Sequence, residues 1–397
     1  MSSINDFVFA RTPELHFGAG QLAQLPALLT RDARHRPTIL LVTGSTSFVG
    51  SAHYEKLTRA LDTAQIAYFQ QAIAGEPSPE LVDETAVRYR HEAIDWVVAI
   101  GGGSAMDAGK AISAMLPQAG SVSAYLEGME TTRHDGRKTP FAAIPTSSGT
   151  GSEATKNAVL SRIGASGFKA SLRHDNFIPD IALIDPELML SCPRDITAAC
   201  GLDALTQLIE AYVSSKSSPL SDALALNGLA HFAAGFDRAL ADGDTDVEAR
   251  GELAYAAYLS GITLANAGLG VVHGLAGPLG AYFPIPHGVA CGSLLGEATR
   301  ATLGALLAAP EQNRLALEKY ARVGALLAGQ ASGSLRGDCD ELVATLDALI
   351  ERCAIARLSH YGITRVDLPR ILDKANSKNS PAPLSREQMA AILEARL

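Results

Sequence analysis

Hydrophobic and polar positions alternate in short blocks along the first half of the chain. Short apolar runs bounded by glycine, proline or polar residues alternate with segments that carry apolar residues on one face. The predicted strands are Thr38–Thr43, Ile66–Phe69, Trp96–Ile100, Phe141–Ile144 and Ile181–Ile184, and the predicted helices between them are Ala52–Thr63 and Pro79–His91. Such alternation is typical of a parallel sheet covered by helices on both faces, with ligands at the carboxyl ends of its strands.

The pattern changes near Pro193, after which long segments rich in alanine and leucine predominate. The predicted helices are Asp203–Val213, Ser221–Leu240, Glu248–Ala265, Gln312–Leu327 and Glu341–Arg352. We therefore predict two domains: an α/β N-terminal domain with a parallel dinucleotide-binding sheet over residues 1–190, and an all-α C-terminal domain over 191–397. Only the change of pattern marks this boundary.

One long stretch in the second half lacks charged residues altogether. The 44 residues between Glu252 and Glu297 include no Asp, Glu, Lys or Arg. A membrane span needs a run of about 20 apolar residues, and the histidines, glycines and three prolines of this stretch leave no such run. The stretch therefore predicts buried helices around a polar site.

Composition and charge narrow the function classes. With 397 residues and 47% hydrophobic content, the chain is long enough for two packed domains. A net charge of −9 argues against nucleic acid as a partner, because binding to phosphates depends on clustered Lys and Arg. The first twenty residues lack the basic start and apolar run of a signal peptide, and the five cysteines show no CxxC pair. These features predict a cytoplasmic protein with reduced thiols.

A glycine-rich segment, GGGSAMDAGK at residues 101–110, follows a predicted strand and begins a predicted helix. Glycines allow close approach of the backbone, and free N–H groups at a helix start attract an anion, so the segment predicts a pyrophosphate cradle. The Asp107–Lys110 spacing places both side chains near one helix face. A plain turn is the alternative, since the segment matches neither the P-loop nor the GxGxxG pattern.

A second segment, PTSSGTGSE at residues 145–153, concentrates hydroxyl groups at the end of the strand Phe141–Ile144. These hydroxyls could bind phosphate, ribose or a carboxamide. The alternative is a solvated Ser/Gly loop.

A third group lies in the helical half. Asp203 and Gln207 are four residues apart, so they share a helix face, and His273 and His287 lie within the charge-free stretch. Buried imidazoles need partners. A carboxylate with two imidazoles suits Fe²⁺, Zn²⁺ or Mn²⁺, while two satisfied core histidines are the alternative.

Together and in this order, the segments resemble the iron-containing (group III) alcohol dehydrogenase family, from Phe17-Gly18 to about Arg300. That family pairs GGGSxxDxxK with PTTxGTGSE and takes its metal ligands from GxDALxHxxE, HGxxHPLG and PHG. This chain has GGGSAMDAGK, PTSSGTGSE, GLDALTQLIE, HGLAGPLG and PHG. The resemblance implies a dehydroquinate synthase-like fold with an active site between the domains, and a homodimer.

The resemblance also assigns residues. The coenzyme would be held by Gly44, Gly102, Gly103, Ser104, Asp107, Thr146, Ser147, Thr150, Ser152 and Lys169. The metal would be held by Asp203, Gln207, His273 and His287, with Fe²⁺ first and Zn²⁺ or Mn²⁺ as alternatives. Asp203, His273, His287 and Lys169 would be the catalytic residues.

Three positions depart from the family pattern. Gln207 stands where the family has a histidine ligand, and an amide oxygen is a weaker donor than imidazole. Gly277 replaces a second histidine, proposed to relay the alcohol proton, so the pocket gains room. The first strand leads into Gly44-Ser45-Thr46-Ser47 where NAD users often have Asp, and this uncharged loop favours NADP(H) over NAD(H).

The predicted function is NAD(P)-dependent alcohol dehydrogenase or aldehyde reductase activity on a small-molecule alcohol or aldehyde, with metal-assisted hydride transfer. A metal-independent enzyme like the maleylacetate reductases is the main alternative. A dehydroquinate-synthase-like cyclase would need Lys and Arg around a phosphate, which the charge-free stretch does not supply. A non-catalytic nucleotide-binding protein is the remaining alternative.

Overall fold

The computed structural model describes residues 6–397, in which a six-stranded parallel sheet forms the centre of the N-terminal half. The strands are β1 (Glu14–Phe17), β2 (Thr38–Gly44), β3 (Ala67–Ile73), β4 (Trp96–Gly101), β5 (Phe141–Pro145), β6 (Asn157–Arg162), β7 (Phe168–Arg173) and β8 (Ile181–Ile184). The sheet has the order β1-β8-β5-β4-β2-β3. All five predicted strands are present, and the α/β class of this half is confirmed.

Helices cover the sheet and make up the second half of the chain. They are α1 (Leu25–Thr30), α2 (Ala52–Thr63), α3 (Pro79–Tyr89), α4 (Gly103–Met115), α5 (Arg194–Val213), α6 (Pro219–Asp242), α7 (Val247–Ala267), α8 (Val271–Tyr282), α9 (His287–Leu307), α10 (Arg314–Ala328), α11 (Leu335–Arg352), α12 (Leu368–Leu372) and α13 (Arg386–Glu394). Within residues 6–397 no strand follows Ile184, so the second half is helical as predicted.

The sheet is buried on both faces, which explains its continuous apolar strands. Leu40 and Val97 pack on one face with α3 and α4, while Ile39 and Val98 pack on the other with α1 and α2. Because neighbouring residues of a strand point to opposite faces, a sheet covered on both sides needs apolar residues at every position.

An antiparallel pair of strands, β6 and β7, was not predicted from the sequence. It forms a separate two-stranded sheet in which Asn157 pairs with Arg173 and Arg162 with Phe168. The expectation of a purely parallel N-terminal domain was therefore incomplete. Polar residues interrupt both strands, and one face of the pair is partly exposed, so their apolar pattern is weak. The pair matters because β7 carries Lys169.

The charge-free stretch forms the later part of α7, all of α8 and the first half of α9, and these helices are largely buried, as predicted. Within residues 6–397 no single helix is long and apolar enough to cross a membrane; α7 and α8 together meet that criterion but are bent by 100°. The sequence predicts that the first twenty residues are not a signal peptide, and the first five of them lie outside the described range. The domain boundary at residue 190 stays a prediction.

Candidate active site

Three strand ends of the sheet meet at one edge, where the predicted coenzyme loops lie. Strand β4 is flanked by β2 and β5, and the chain leaves β2 and β4 towards opposite sides of the sheet. In open α/β sheets ligands bind at such a reversal. The backbone N–H of Thr146 donates to the carbonyl of Gly101 at 3.0 Å, which joins the two predicted loops. Gly44 lies at the same edge, at the end of β2.

The start of helix α4 is built to receive an anion. Gly102 is the N-cap residue, and no side chain accepts from the first amides of the helix. Those amides need a partner, and the helix dipole favours a negative one. A Cβ atom added to Gly103 would lie 2.7 Å from Cγ2 of Thr150, so only glycine fits between the two loops. Ser104 and Ser147 are partly accessible at this edge.

Polar residues beneath this edge already have protein partners. Asp107 accepts from the hydroxyl of Ser152 and, at 3.0 Å, from the backbone N–H of Val159. The buried ammonium group of Lys110 contacts the carbonyl of Ser152 at 2.8 Å and the hydroxyl of Thr155 at 3.0 Å. Asp107 and Lys110 thus meet at Ser152, which confirms that they share a helix face. These contacts fix the loop against α4.

Lys169 lies on β7 and pairs with Glu76, in the segment between β3 and α3. Its ammonium group donates to Glu76 at 2.7 Å, and the hydroxyl of Ser161 donates to the other oxygen of Glu76 at 2.6 Å. The Lys169 side chain also reaches α8, where Nζ lies 3.5 Å from the position of a Cβ atom added to Gly280. Lys169 therefore stands between the β6–β7 pair and the helices of the second half.

Four side chains of the helical half bring one ligand atom each into a single cluster. Asp203 on α5, His273 on α8, and His287 and Cys291 on α9 place these atoms within 4.8 Å of one another. The structure thus brings together three of the four predicted metal ligands and adds a cysteine. We call Asp203, His273, His287 and Cys291 the four-residue cluster.

Burial and charge shape the pKa values of the cluster. Burial raises the pKa of Asp203, but the nearby imidazoles of His287 and His273 outweigh it and lower the pKa to about 2. Burial lowers the pKa of His287 to about 4 and raises that of Cys291 to about 12. Asp203 is therefore a carboxylate and His287 a neutral imidazole at pH 7, as divalent metal binding requires.

Glu210 orients His273 from outside the cluster. Its Oε2 lies 2.7 Å from Nδ1 of His273, and its Oε1 accepts from the backbone N–H of Val272 at 2.7 Å. Burial lowers the pKa of His273, but Cys291, Asp203 and Glu210 outweigh it and raise the pKa above the usual 6.5. A metal would therefore displace a proton from Nε2, the atom that faces Asp203 at 3.3 Å, while Glu210 keeps the proton on Nδ1. Nδ1 of His287 is buried without a hydrogen-bond partner in the described chain.

Gln207 and Gly277, the two positions where the family has histidines, differ in their surroundings. The Oε1 atom of Gln207 lies 2.9 Å from the hydroxyl of Ser260 on α7, so this predicted ligand already has a protein partner. Gly277 lies one turn from His273 on α8, and a Cβ atom added there would meet nothing within 4 Å. The predicted extra room at Gly277 is present.

The edge of the sheet that carries the predicted coenzyme loops, here called the coenzyme edge, adjoins the four-residue cluster. A Cβ atom added to Gly149 would lie 2.8 Å from Cβ of Cys200, which precedes Asp203 by one turn of α5. The hydroxyl-rich loop therefore packs directly on the helix that carries Asp203. The donor set of carboxylate, imidazoles and thiol fits a divalent metal, and the uncapped helix start fits a diphosphate. This combination defines a metal-type nucleotide-dependent oxidoreductase.

Comparisons with known proteins agree with this class of protein. Residues 12–186 match the model described as "Iron-containing alcohol dehydrogenase", and residues 197–397 match "Fe-containing alcohol dehydrogenase family, C-terminal". The chain belongs to the iron-containing alcohol dehydrogenase family. This confirms the predicted class, an NAD(P)-dependent oxidoreductase acting on CH–OH groups, and excludes the cyclase as the main assignment.

Individual relatives cover most of the chain. Long-chain-alcohol dehydrogenase 1 of Geobacillus thermodenitrificans (strain NG80-2) is 36% identical over 70% of this chain and 68% of its own. The NADPH-dependent butanol dehydrogenase of Clostridium saccharobutylicum is 30% identical over 97% of each. The crystal structure of a 1,3-propanediol oxidoreductase has a TM-score of 0.87 at 28% identity, covering 99% of this chain and 100% of its own.

Two residues of this site were not predicted from the sequence. Cys291 follows His287 by four residues, a helical spacing that could have indicated it, but the thiol was counted only among the reduced cysteines. Glu210 lies in the quoted segment GLDALTQLIE, seven residues after Asp203, and no role was assigned to it. All five cysteines are free, as predicted.

Proposed function

We propose that the chain catalyses the reversible oxidation of an alcohol to an aldehyde with NADP(H), at the cleft between the glycine-rich edge and the four-residue cluster. The observation that carries this proposal is the packing of Gly149 against Cys200, which puts the coenzyme loop beside the helix of Asp203. Hydride transfer needs such proximity between coenzyme and substrate. We also propose residues 1–190 and 191–397 as the two domains that form the cleft.

The coenzyme half of the cleft is assigned to the sheet edge. The amides at the start of α4, with Gly102, Gly103 and Ser104, would bind the diphosphate, and Asp107 and Ser152 would keep that loop in place. Thr146, Ser147 and Thr150 would surround the nicotinamide half, and Lys169 would face its ribose. The bound nicotinamide supplies the hydride acceptor or donor.

The metal half is assigned to Asp203, His273 and His287, with Gln207 as the fourth predicted ligand. A divalent ion held there, Fe²⁺, Zn²⁺ or Mn²⁺, would supply Lewis-acid polarisation of the substrate oxygen. Glu210 keeps Nε2 of His273 directed into the cluster. Because Gly277 offers no imidazole on this face, water or a coenzyme hydroxyl would have to accept the alcohol proton.

The preference for NADP(H) rests on the loop after β2. Ser45, Thr46 and Ser47 are exposed at the coenzyme edge, and no carboxylate occurs in Gly44–Ser47. A carboxylate there would accept from the ribose 2′-OH and repel a 2′-phosphate. The relatives include both an NADPH-dependent butanol dehydrogenase and an NAD-dependent methanol dehydrogenase, so the proposed preference rests on this loop alone.

A cytoplasmic homodimer is the proposed working form. Strand β1 is an edge of the sheet, and Val8, Leu15 and Phe17 nearby are exposed apolar residues. Exposed apolar edges are typical of contacts between copies of a chain. Light scattering after size exclusion tests the dimer, and Leu15→Lys should shift it towards monomer.

The direct test combines metal analysis with kinetics. Protein purified without added metal is analysed by elemental mass spectrometry, and NADPH and NADH oxidation are followed with a panel of aldehydes. About one metal ion per chain, with activity lost to a chelator, supports the proposal. Metal-free protein that still reduces aldehydes favours the metal-independent enzyme, and metal-free protein without turnover favours nucleotide binding alone.

A further inference from the structure

The thiol of Cys291 faces the same point as the two imidazoles and the carboxylate of the cluster. Its Sγ atom lies 3.6 Å from Nε2 of His273 and 3.7 Å from Nε2 of His287, and the residue is fully buried. His287 is the first residue of α9, and Cys291 follows one turn later on the same face. Helix α9 therefore presents both ligand atoms towards α5 and α8.

Four of the six distances between these atoms lie within about 0.5 Å of the edges of a coordination tetrahedron. Zinc bonds of about 2.0 Å to nitrogen or oxygen and about 2.3 Å to sulfur give edges of about 3.3 Å for N···O and about 3.6 Å for N···S. The cluster has N···O distances of 3.3 and 3.8 Å to Asp203 and the two N···S distances of 3.6 and 3.7 Å. All four ligand atoms lie within 4.8 Å of one another, so small side-chain shifts would bring them around one ion.

Gln207 is a poorer candidate for the fourth position. Its carbonyl oxygen faces the Ser260 hydroxyl on α7, whereas the Cys291 thiol faces the cluster itself. An amide oxygen is also a weak donor to transition metals, and a thiolate is a strong one.

We propose that Cys291, and not Gln207, is the fourth protein ligand of the metal, and that the resulting donor set selects Zn²⁺ over Fe²⁺ and Mn²⁺. This inference rests on the proposed metal-dependent function. Metal binding releases the thiol proton to solvent and leaves a thiolate on the ion. One oxygen, two nitrogen and one sulfur donor form a mixed set that suits zinc, and a zinc ion held there would supply Lewis-acid polarisation of the substrate oxygen.

Cobalt substitution tests the ligand directly, because a thiolate bound to Co²⁺ gives a charge-transfer absorption band in the near ultraviolet that nitrogen and oxygen ligands do not give. We expect this band in the wild-type protein loaded with Co²⁺ and its loss in Cys291→Ser. Cys339→Ser is the matched control, since Cys339 is also buried but its thiol contacts the carbonyl of Leu317. The control should keep the band.

Zinc affinity, measured by competition with a chromogenic chelator, gives the second readout. Cys291→Ser should weaken zinc binding by at least about tenfold, and Gln207→Ala should change it little. Wild-type protein that binds Co²⁺ without the band overturns the inference and leaves the metal-dependent function standing. Wild-type protein that binds neither Co²⁺ nor Zn²⁺ overturns both the inference and the metal-dependent function. The wild-type spectrum decides even where Cys291→Ser fails to fold.

Discussion

Glu210 holds His273 through a contact of 2.7 Å between Oε2 and Nδ1, while its other oxygen accepts from the backbone of the same helix at Val272. One carboxylate thus fixes both the imidazole and the start of α8. Because Glu210 follows Asp203 by seven residues, a single face of α5 supplies a cluster ligand and the group that orients another.

We expect Glu210→Gln to weaken metal binding by about 10–100-fold, because a carboxamide of the same size offers one acceptor oxygen in place of two and lacks the negative charge. It is that charge on Glu210 that makes the imidazole of His273 a better ligand. Chelator competition measures the change. Glu252→Gln is the matched control, because Glu252 also contacts Nδ1 of a histidine, His231, between α6 and α7. Equal metal affinities for the two variants would contradict the assigned role of Glu210.

The predictable part of the site consists of residues in contiguous segments. The strands of the sheet and the glycine-rich loop follow from local patterns, because burial on both faces and an anion-binding helix start each constrain consecutive residues. Asp203, His273 and His287 also stood out, as polar residues in apolar surroundings.

The unpredicted part depends on contacts between distant residues. Cys291 resembles any buried cysteine in the sequence, and only the packing of α9 against α5 and α8 places its thiol beside the imidazoles. The Ser260 hydroxyl that partners Gln207 comes from another helix, 53 residues away in sequence. The β6–β7 pair was missed because a half-exposed strand pair has a weak apolar pattern.

The loop after β2 offers a test of coenzyme choice. We expect Gly44→Asp to lower kcat/KM for NADP⁺ by at least about tenfold, because the new carboxylate repels a 2′-phosphate, and to change that for NAD⁺ far less. A Cβ atom at Gly44 would meet nothing within 4 Å, so the fold tolerates the substitution. Gly44→Ala controls for the loss of glycine. An equal loss with both coenzymes in Gly44→Asp would count against NADP(H) binding at this loop.

The open space at Gly277 predicts an effect on substrate size. We expect Gly277→His to fold normally, because nothing lies within 4 Å of the new Cβ atom and histidine is a better helix former than glycine. The imidazole fills the face beside His273, so kcat/KM should fall by at least about tenfold for bulky alcohols and little for the smallest. A series of primary alcohols of increasing length measures this. Uniform loss along the series would place Gly277 outside the pocket.

A buried carboxyl group below the coenzyme edge predicts pH-dependent stability. Burial raises the pKa of Glu153 from 4.5 to about 7, only partly opposed by its hydrogen bonding and by Lys110. The folded state therefore holds this proton more tightly than the unfolded chain does. Its contribution to the free energy of unfolding is fully present below pH 4.5 and is lost as the pH rises through about 7, a change of about 3 kcal/mol.

Glu153→Gln removes this titration and keeps the shape of the side chain. Urea unfolding at pH 5 and at pH 8.5 measures the difference in free energy of unfolding between the variant and wild type. From the lower to the higher pH this difference should change by up to about 3 kcal/mol in favour of the variant. Glu311→Gln, at an exposed position, should show no such gain. If the difference in free energy of unfolding between Glu153→Gln and wild type is the same at both pH values, Glu153 does not retain its proton in the folded protein between pH 5 and pH 8.5, and the raised pKa is wrong.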